Sequence, residues 1–284
     1  MAPKDDTNWM KKLSHVTVRL ESKLKDNTIS VGTGFFYIFQ DDSKGYHYNI
    51  ITNKHVVQDS IETTFYLSLK DDENKRSNQT VQIGLDEKDM VWINHPDANI
   101  DLCAMPLTPI LAILHKEADF KFHIEYIHGY ISNFWSEKFT SYEEVLMIGY
   151  PNGIWDQMNN RPIFRKGITA TDYNIDYNGK KEFLIDIASY GGSSGSPVFW
   201  YDKNSKNPIP YLLGVLYAGM VSTLEGNIEI VQIPTGTKPI SKTQIPINLG
   251  IIIKAECIDA LEKEFVSYVL DIKERYNNTL DRST

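Results

Sequence analysis

The stretch Gly191-Gly192-Ser193-Ser194-Gly195-Ser196-Pro197 brackets one serine with glycines closely enough to present a hydroxyl nucleophile beside unencumbered backbone N–H groups. A tetrahedral intermediate at a carbonyl carbon places a negative charge on oxygen, and two preorganised amide donors stabilise it by several kcal/mol. Gly192 and Ser194 are placed to supply those donors. Glycine at 192 also lets a substrate carbonyl approach the backbone and opens φ values closed to other residues. A plain Gly/Ser loop between strands would carry the same glycines, so the reading depends on whether the rest of the chain offers the partners that such a serine needs.

It offers both. His55 stands at the end of the apolar run Ile50-Ile51-Thr52-Asn53-Lys54-His55, a rigid mounting for a general base. Asp101 opens the apolar run Asp101-Leu102-Cys103-Ala104-Met105 and can hold the His Nδ1–H, fixing the tautomer that leaves Nε2 free. Two rivals are weaker. Asp97, in the turn-rich Asn94-His95-Pro96-Asp97-Ala98-Asn99, lacks a following apolar strand to bury and fix it. His47, in alternating Tyr46-His47-Tyr48-Asn49, reads as a packing residue on a strand face. The order along the chain is therefore His, Asp, Ser, and because unrelated folds use other orders, this order carries fold information.

These residues resemble the trypsin-like (chymotrypsin-fold) serine peptidases, and most closely their disulfide-free bacterial members, including the peptidase domain of the Deg/HtrA proteins. Gly32-Thr33-Gly34-Phe35-Phe36 is similar to the strand entering the first barrel, and Asp101-Leu102-Cys103-Ala104 to the acid segment. Val145-Leu146-Met147-Ile148-Gly149-Tyr150-Pro151-Asn152-Gly153 resembles the opening of the second barrel, and Leu213-Gly214-Val215-Leu216-Tyr217 trails the Ser194 motif. Separations of 46 residues from His55 to Asp101 and 93 from Asp101 to Ser194 suit one barrel's return strands and then most of a second barrel.

The resemblance implies a mostly β fold: two packed six-stranded antiparallel β-barrels with a C-terminal α-helix. It also implies a bacterial serine endopeptidase. Ser194 is then the nucleophile, His55 the base and later the acid, Asp101 the orienting carboxylate, and Gly192 and Ser194 the oxyanion donors. By the family's pattern the pocket for the side chain before the scissile bond has Ala188 at its floor with Ser189 beside it, and Tyr217, Ala218 and Gly219 along its wall. None of these is charged, so a small or medium apolar residue is expected there. Asp186 would line the pocket only if the loop register differed.

Departures from the secreted relatives are equally informative. There is no activation-type Ile-Val-Gly-Gly start, and Ser193 stands where zymogen-activated relatives keep an aspartate. Propeptide cleavage is thus not the expected switch. The chain has two cysteines, Cys103 and Cys257, read as free buried thiols. With no apolar leader in Met1-Ala2-Pro3-Lys4-Asp5-Asp6, they predict a cytoplasmic protein.

A formal charge of −8 and the lack of a basic stripe interleaved with aromatics argue against a nucleic-acid partner, and no span is long enough for a membrane. The expected partner is a protein or peptide substrate, with no cofactor and no metal. His123 and His128 flank Ile124-Glu125-Tyr126-Ile127 without the further ligands that zinc needs. Domain boundaries are expected as an N-terminal segment 1–27, a first barrel 28–115, a bridge 116–141, a second barrel 142–253, and a C-terminal helix and tail 254–284. The aromatics from Phe120 to Trp135 should pack across the seam between barrels. Ile258, Leu261, Phe265, Tyr268 or Val269, and Ile272 recur at helical spacing and predict an amphipathic helix docked on the second barrel. A regulatory partner would engage through the N-terminal segment or this helix. The competing assignment, from a different functional class, is a non-catalytic peptide-binding or scaffold protein that keeps the fold.

Overall fold

Short runs of β-branched and aromatic residues, separated by Asp, Asn, Gly and Lys turns, form antiparallel strands in a computed structural model that describes residues 9–41, 45–71, 73, 75–129, 142–202, 209–227 and 240–281. Seven strands build the N-terminal half: β1 (Thr17–Leu24), β2 (Ile29–Gln40), β3 (Tyr46–Thr52), β4 (Ser60–Lys70), β5 (Arg76–Asp86), β6 (Ile93–Asn94) and β7 (Cys103–Pro106). They lie in one sheet in the order β5-β4-β1-β2-β3-β7-β6. Six more strands, β8 (Glu144–Gly149), β9 (Ile163–Thr169), β10 (Glu182–Asp186), β11 (Pro197–Tyr201), β12 (Pro210–Asn227) and β13 (Ile240–Lys254), close into a barrel in the order β10-β13-β12-β11-β8-β9. The fold class is the expected one. The hydrogen-bonded ladder closes in the C-terminal half, whereas the N-terminal half is an antiparallel sheet of seven strands, not six.

The N-terminal sheet begins earlier than the expected boundary at residue 28, because β1 sits between β2 and β4 and pairs with both. Its alternation is hidden in the sequence: Val18 and Leu20 are buried, while Arg19, Glu21 and Lys23 fill the other face. The boundary at 115 also moves, since a helix spans Thr108–Ala118, with Pro109 in its first turn and Asp119 in the left-handed conformation at its end. After it, the bridge runs along the N-terminal sheet. Lys70 N–H donates to Lys121 O at 2.7 Å, His123 N–H to Ser68 O at 2.8 Å, and Ile127 N–H to Phe36 O at 2.9 Å. Phe122, Ile124 and Tyr126 pack on that sheet, and of this stretch Ile127 reaches the core shared by the two halves. The rest of the predicted seam, including Tyr130, Phe134 and Trp135, lies outside the described residues.

The C-terminal helix, Ile258–Asp281, buries the predicted Ile258, Leu261 and Phe265. It docks against β2, β6 and β7 of the N-terminal sheet, which corrects the expected docking on the second barrel. Phe265 meets Phe39 edge-on with centroids 5.2 Å apart, and Glu262 accepts the Gln40 N–H at 2.7 Å. The same cluster includes Leu212, Val215 and Ile253 of the barrel, so the helix joins the two halves. Burial of each such side chain contributes about 1.5–3 kcal/mol. Ile272 is 46% exposed because the helix outruns the core there. Among the described residues no helix is long and apolar enough to cross a membrane, and no three His, Cys, Asp or Glu side chains group as a metal site.

Candidate active site

The site forms where the N-terminal sheet meets the barrel, and Thr33 is the junction. This fully buried residue of β2 donates its N–H to Ser194 O at 2.8 Å and its hydroxyl to Gly192 O at 3.1 Å. Its own carbonyl accepts the Thr52 hydroxyl at 2.8 Å. Thr52 ends β3, and the next residue, Asn53, donates its side-chain amide to Asp101 O at 2.7 Å. One chain of hydrogen bonds therefore links the segments that carry His55, Asp101 and Ser194, although each comes from a separate part of the sequence.

His55 lies in the single helical turn Lys54–Val57 just beyond β3. Its Nδ1 is 2.5 Å from Asp101 Oδ2, and its backbone N–H donates to Asp101 Oδ1 at 3.2 Å. Burial alone would raise the Asp101 pKa. The side-chain hydrogen bond and charge of His55, with the amides of His55 and Lys54, outweigh it and hold the carboxyl below the usual aspartate range. An ionised Asp101 can only accept, so Nδ1 carries the proton and Nε2 of the neutral ring keeps its lone pair. Asp97 makes no such contact: its carboxylate accepts from Asn99 N–H at 2.8 Å and Asn99 Nδ2 at 3.0 Å. His47 bonds to Asp41 and packs near Phe265. His95 is buried, accepting the Asp97 N–H at Nδ1 and donating from Nε2 to Cys257 O at 3.1 Å. His123 stacks edge-on against His15 at 4.2 Å.

Gly192 and Gly195 adopt φ of +78° and +86°, where a side chain is strained, and a Cβ at either would also collide with a backbone carbonyl, Tyr150 O or Thr33 O respectively. The resulting turn leaves the amides of Gly192 and Ser194 without an acceptor among the described residues. Ser194 Oγ donates to Tyr217 O at 3.5 Å, and no hydrogen bond joins it to His55. Nucleophile and base bonds of this kind often tighten only when substrate binds.

Of the predicted pocket residues, Ser189 lies against Gly219, and the Tyr217 carbonyl meets Ser194. Ser189 is buried between Gly219 and Gly250, which face each other across the β12–β13 ladder. Ala188 is half-buried and Ala218 lies beside Gly219. Tyr217 contributes its carbonyl, while its hydroxyl donates to Glu182 at 2.9 Å. Asp186 is exposed between buried Ile185 and Ile187, so its carboxylate is turned outward.

Comparison with known proteins adds one decisive finding. The family model of the trypsin-like peptidase domain matches residues 32–205. The chain belongs to the trypsin-like peptidase family. The Rv3671c protease of M. tuberculosis in its active form is similar to this trypsin-like peptidase at 14% identity, over 91% of this chain and 84% of that one, with a TM-score of 0.48. The HtrA-type protease AlgW with a tripeptide gives 12% identity, 87% and 58% coverage and a TM-score of 0.45. Deg5 gives 14%, 77%, 87% and 0.43 in the same order. No curated protein sequence matches this trypsin-like peptidase.

Three residues at the site escape sequence reasoning. Gly250 and Thr33 each had a faint signal, Thr33 in the glycines that flank it within a strand. Arg165 had none, yet its Nη1 donates to both Ala188 O and Ser193 Oγ at 2.8 Å.

The two cysteines are free and buried. Burial raises the Cys103 thiol far above its ordinary pKa and pushes Cys257 up to about 12. Neither is thiolate at neutral pH, so neither is a nucleophile. Ellman's reagent should find no fast-reacting thiol in the native protein and two after denaturation; rapid native reaction at Cys103 would contradict this packing.

Proposed function

We propose that this trypsin-like peptidase is a serine endopeptidase that works through an acyl-enzyme on Ser194. The observation that carries the proposal is the 2.5 Å contact of His55 with Asp101, tied through Thr33 to a serine turn with two unoccupied amide donors. Ser194 Oγ attacks the scissile carbonyl carbon as its proton passes to His55 Nε2. The carbonyl π pair moves onto oxygen, where the Gly192 and Ser194 amides stabilise it. Collapse breaks the C–N bond and the imidazolium returns the proton to the leaving amine. Water then repeats the attack through the same base, giving the acid and free Ser194. Asp101 orients the ring and stabilises its charged form without taking the proton.

The bond from Ser194 to Tyr217 O favours a second reading, a non-catalytic peptide-binding protein. Catalysis requires that the hydroxyl give up this bond and turn to His55 Nε2. A quenched-fluorophore peptide assay separates the two: steady turnover that stops on treatment with a fluorophosphonate supports the peptidase, and peptide binding without turnover supports the alternative. The unpaired buried thiols fit a reducing compartment such as the cytoplasm, where a restricted protein substrate suits a regulatory protease better than bulk digestion does.

Preference at the residue before the scissile bond follows from the uncharged Ala188, Ser189, Ala218 and Gly219. Cleavage after Val, Ala, Leu or Met should exceed cleavage after Arg or Lys by on the order of tenfold or more, because a basic side chain would be buried without a carboxylate. The measurement is a cleavage-site profile on a peptide library. A preference for Arg or Lys would overturn this pocket assignment.

A further inference from the structure

Arg165 is a charged side chain turned inward from the barrel wall. It lies on β9, in register with Met147 of β8, and its neighbours Phe164 and Lys166 are the exposed ones. One nitrogen, Nη1, ties both ends of the loop that builds the pocket and precedes the nucleophile: Ala188 through its carbonyl and fully buried Ser193 through its hydroxyl. Nε and Nη2 are buried without a hydrogen-bond partner. Among the described residues no carboxylate pairs with the guanidinium. Burial lowers its pKa to about 10, with Tyr190 opposing, so it is still charged at neutral pH.

A buried charge without a counterion is a poor way to stabilise a fold, and an apolar side chain of similar length in its place is often neutral or stabilising. The loop it holds is another matter. Between Ala188 and Ser193 lie Ser189 of the pocket and Gly192, one of the two oxyanion donors, and Ser194 follows directly. The guanidinium is planar and rigid, and β9 is a strand of a closed barrel.

We propose that Arg165 is a positioning residue that locks the 188–193 loop with the Gly192 and Ser194 amides facing the substrate, so that the oxyanion site is held assembled before substrate arrives. This rests on the assignment of Ser194 as nucleophile. Arg165 touches no reacting atom, and it acts through Ala188 and Ser193.

The test pairs rate with stability. Arg165→Met should react with a fluorophosphonate about a hundredfold more slowly, the penalty of misplacing donors by roughly 1 Å, while its thermal midpoint stays equal to or above that of wild type. In peptide assays kcat should fall more than KM rises. Arg165→Lys should recover part of the rate, since an ammonium can still reach one of the two acceptors. Ser193→Ala removes one of the two bonds without removing charge and should label about tenfold more slowly, with a modest loss of stability that leaves the protein folded at the assay temperature. Labelling of Arg165→Met at the wild-type rate overturns the proposal, as does a loss of rate that tracks a loss of folded protein. If Arg165→Met does not fold, Ser193→Ala labelled at the wild-type rate does the same. A wild-type protein that takes no label overturns both the serine peptidase reading and this proposal.

Discussion

Ser194→Ala should lower peptide turnover by about six orders of magnitude, the loss found when the nucleophile of such a unit is removed. The fold should survive. Ser194 is held through its carbonyl, which accepts from Thr33 N–H, and alanine retains that bond. Its hydroxyl makes a single long contact with Tyr217 O. Thermal unfolding of the variant should match wild type within about 0.5 kcal/mol. Ser196→Ala is the informative neighbour, because Ser196 is fully buried and its hydroxyl bonds to Thr33 at 3.2 Å. That variant should lose some stability and keep most of its activity. Were Ser196→Ala the inactive one, the nucleophile would have been placed two residues too early.

Asp101→Asn should cost about four orders of magnitude in turnover. Asparagine keeps the shape, but its amide nitrogen cannot accept, and its oxygen no longer supports a charged ring. The imidazole then loses both its orientation and the tautomer that leaves Nε2 unprotonated. Asp97→Asn should be mild, since the Asp97 carboxylate bonds to its near neighbour Asn99 and not to His55. A larger loss in the Asp97 variant would move the carboxylate role to that turn.

Stability carries its own sign. The folded-state pKa of Asp101 lies below its unfolded value, so its contribution is present above the unfolded value and is lost as pH falls through the folded one. Wild type and Asp101→Asn should therefore differ in stability at neutral pH and converge in acid. Because its pKa is held below the usual aspartate range, Asp101 stays ionised at neutral pH and keeps its role as acceptor there.

The sequence made the catalytic candidates legible because the chemistry restricts them so severely. A hydroxyl between glycines, an imidazole at a strand exit and an acid at a strand mouth are few in any chain, and the structure places His55 against Asp101 as their spacing suggested. The strands that mount them were legible too: the apolar run Ile50-Ile51-Thr52 that leads to His55 is the end of β3.

What escaped were features set by tertiary context. Charged Arg19, Glu21 and Lys23 read as a polar segment until β1 is seen between two neighbours, with Arg19 paired to Glu21 and stacked on Trp155. The helical period of residues 258–272 identified the apolar face of the last helix but not its dock, because periodicity gives a face and no address. Arg165 is the sharpest case. In Ile163-Phe164-Arg165-Lys166-Gly167 hydrophobicity would turn Phe164 in and Arg165 out, and the strand does the reverse. A local rule broken in this way marks a place where another demand prevails, here the anchoring of the loop before Ser194.

One covalent bond tests the role of Ser194 most directly. Wild-type protein treated with a fluorophosphonate, digested and mapped by mass spectrometry should carry a single adduct, on the Oγ of Ser194, and Ser194→Ala should carry none. An adduct on Ser193 or Ser196, equal labelling of the Ser194→Ala variant, or no adduct on folded wild type would contradict it.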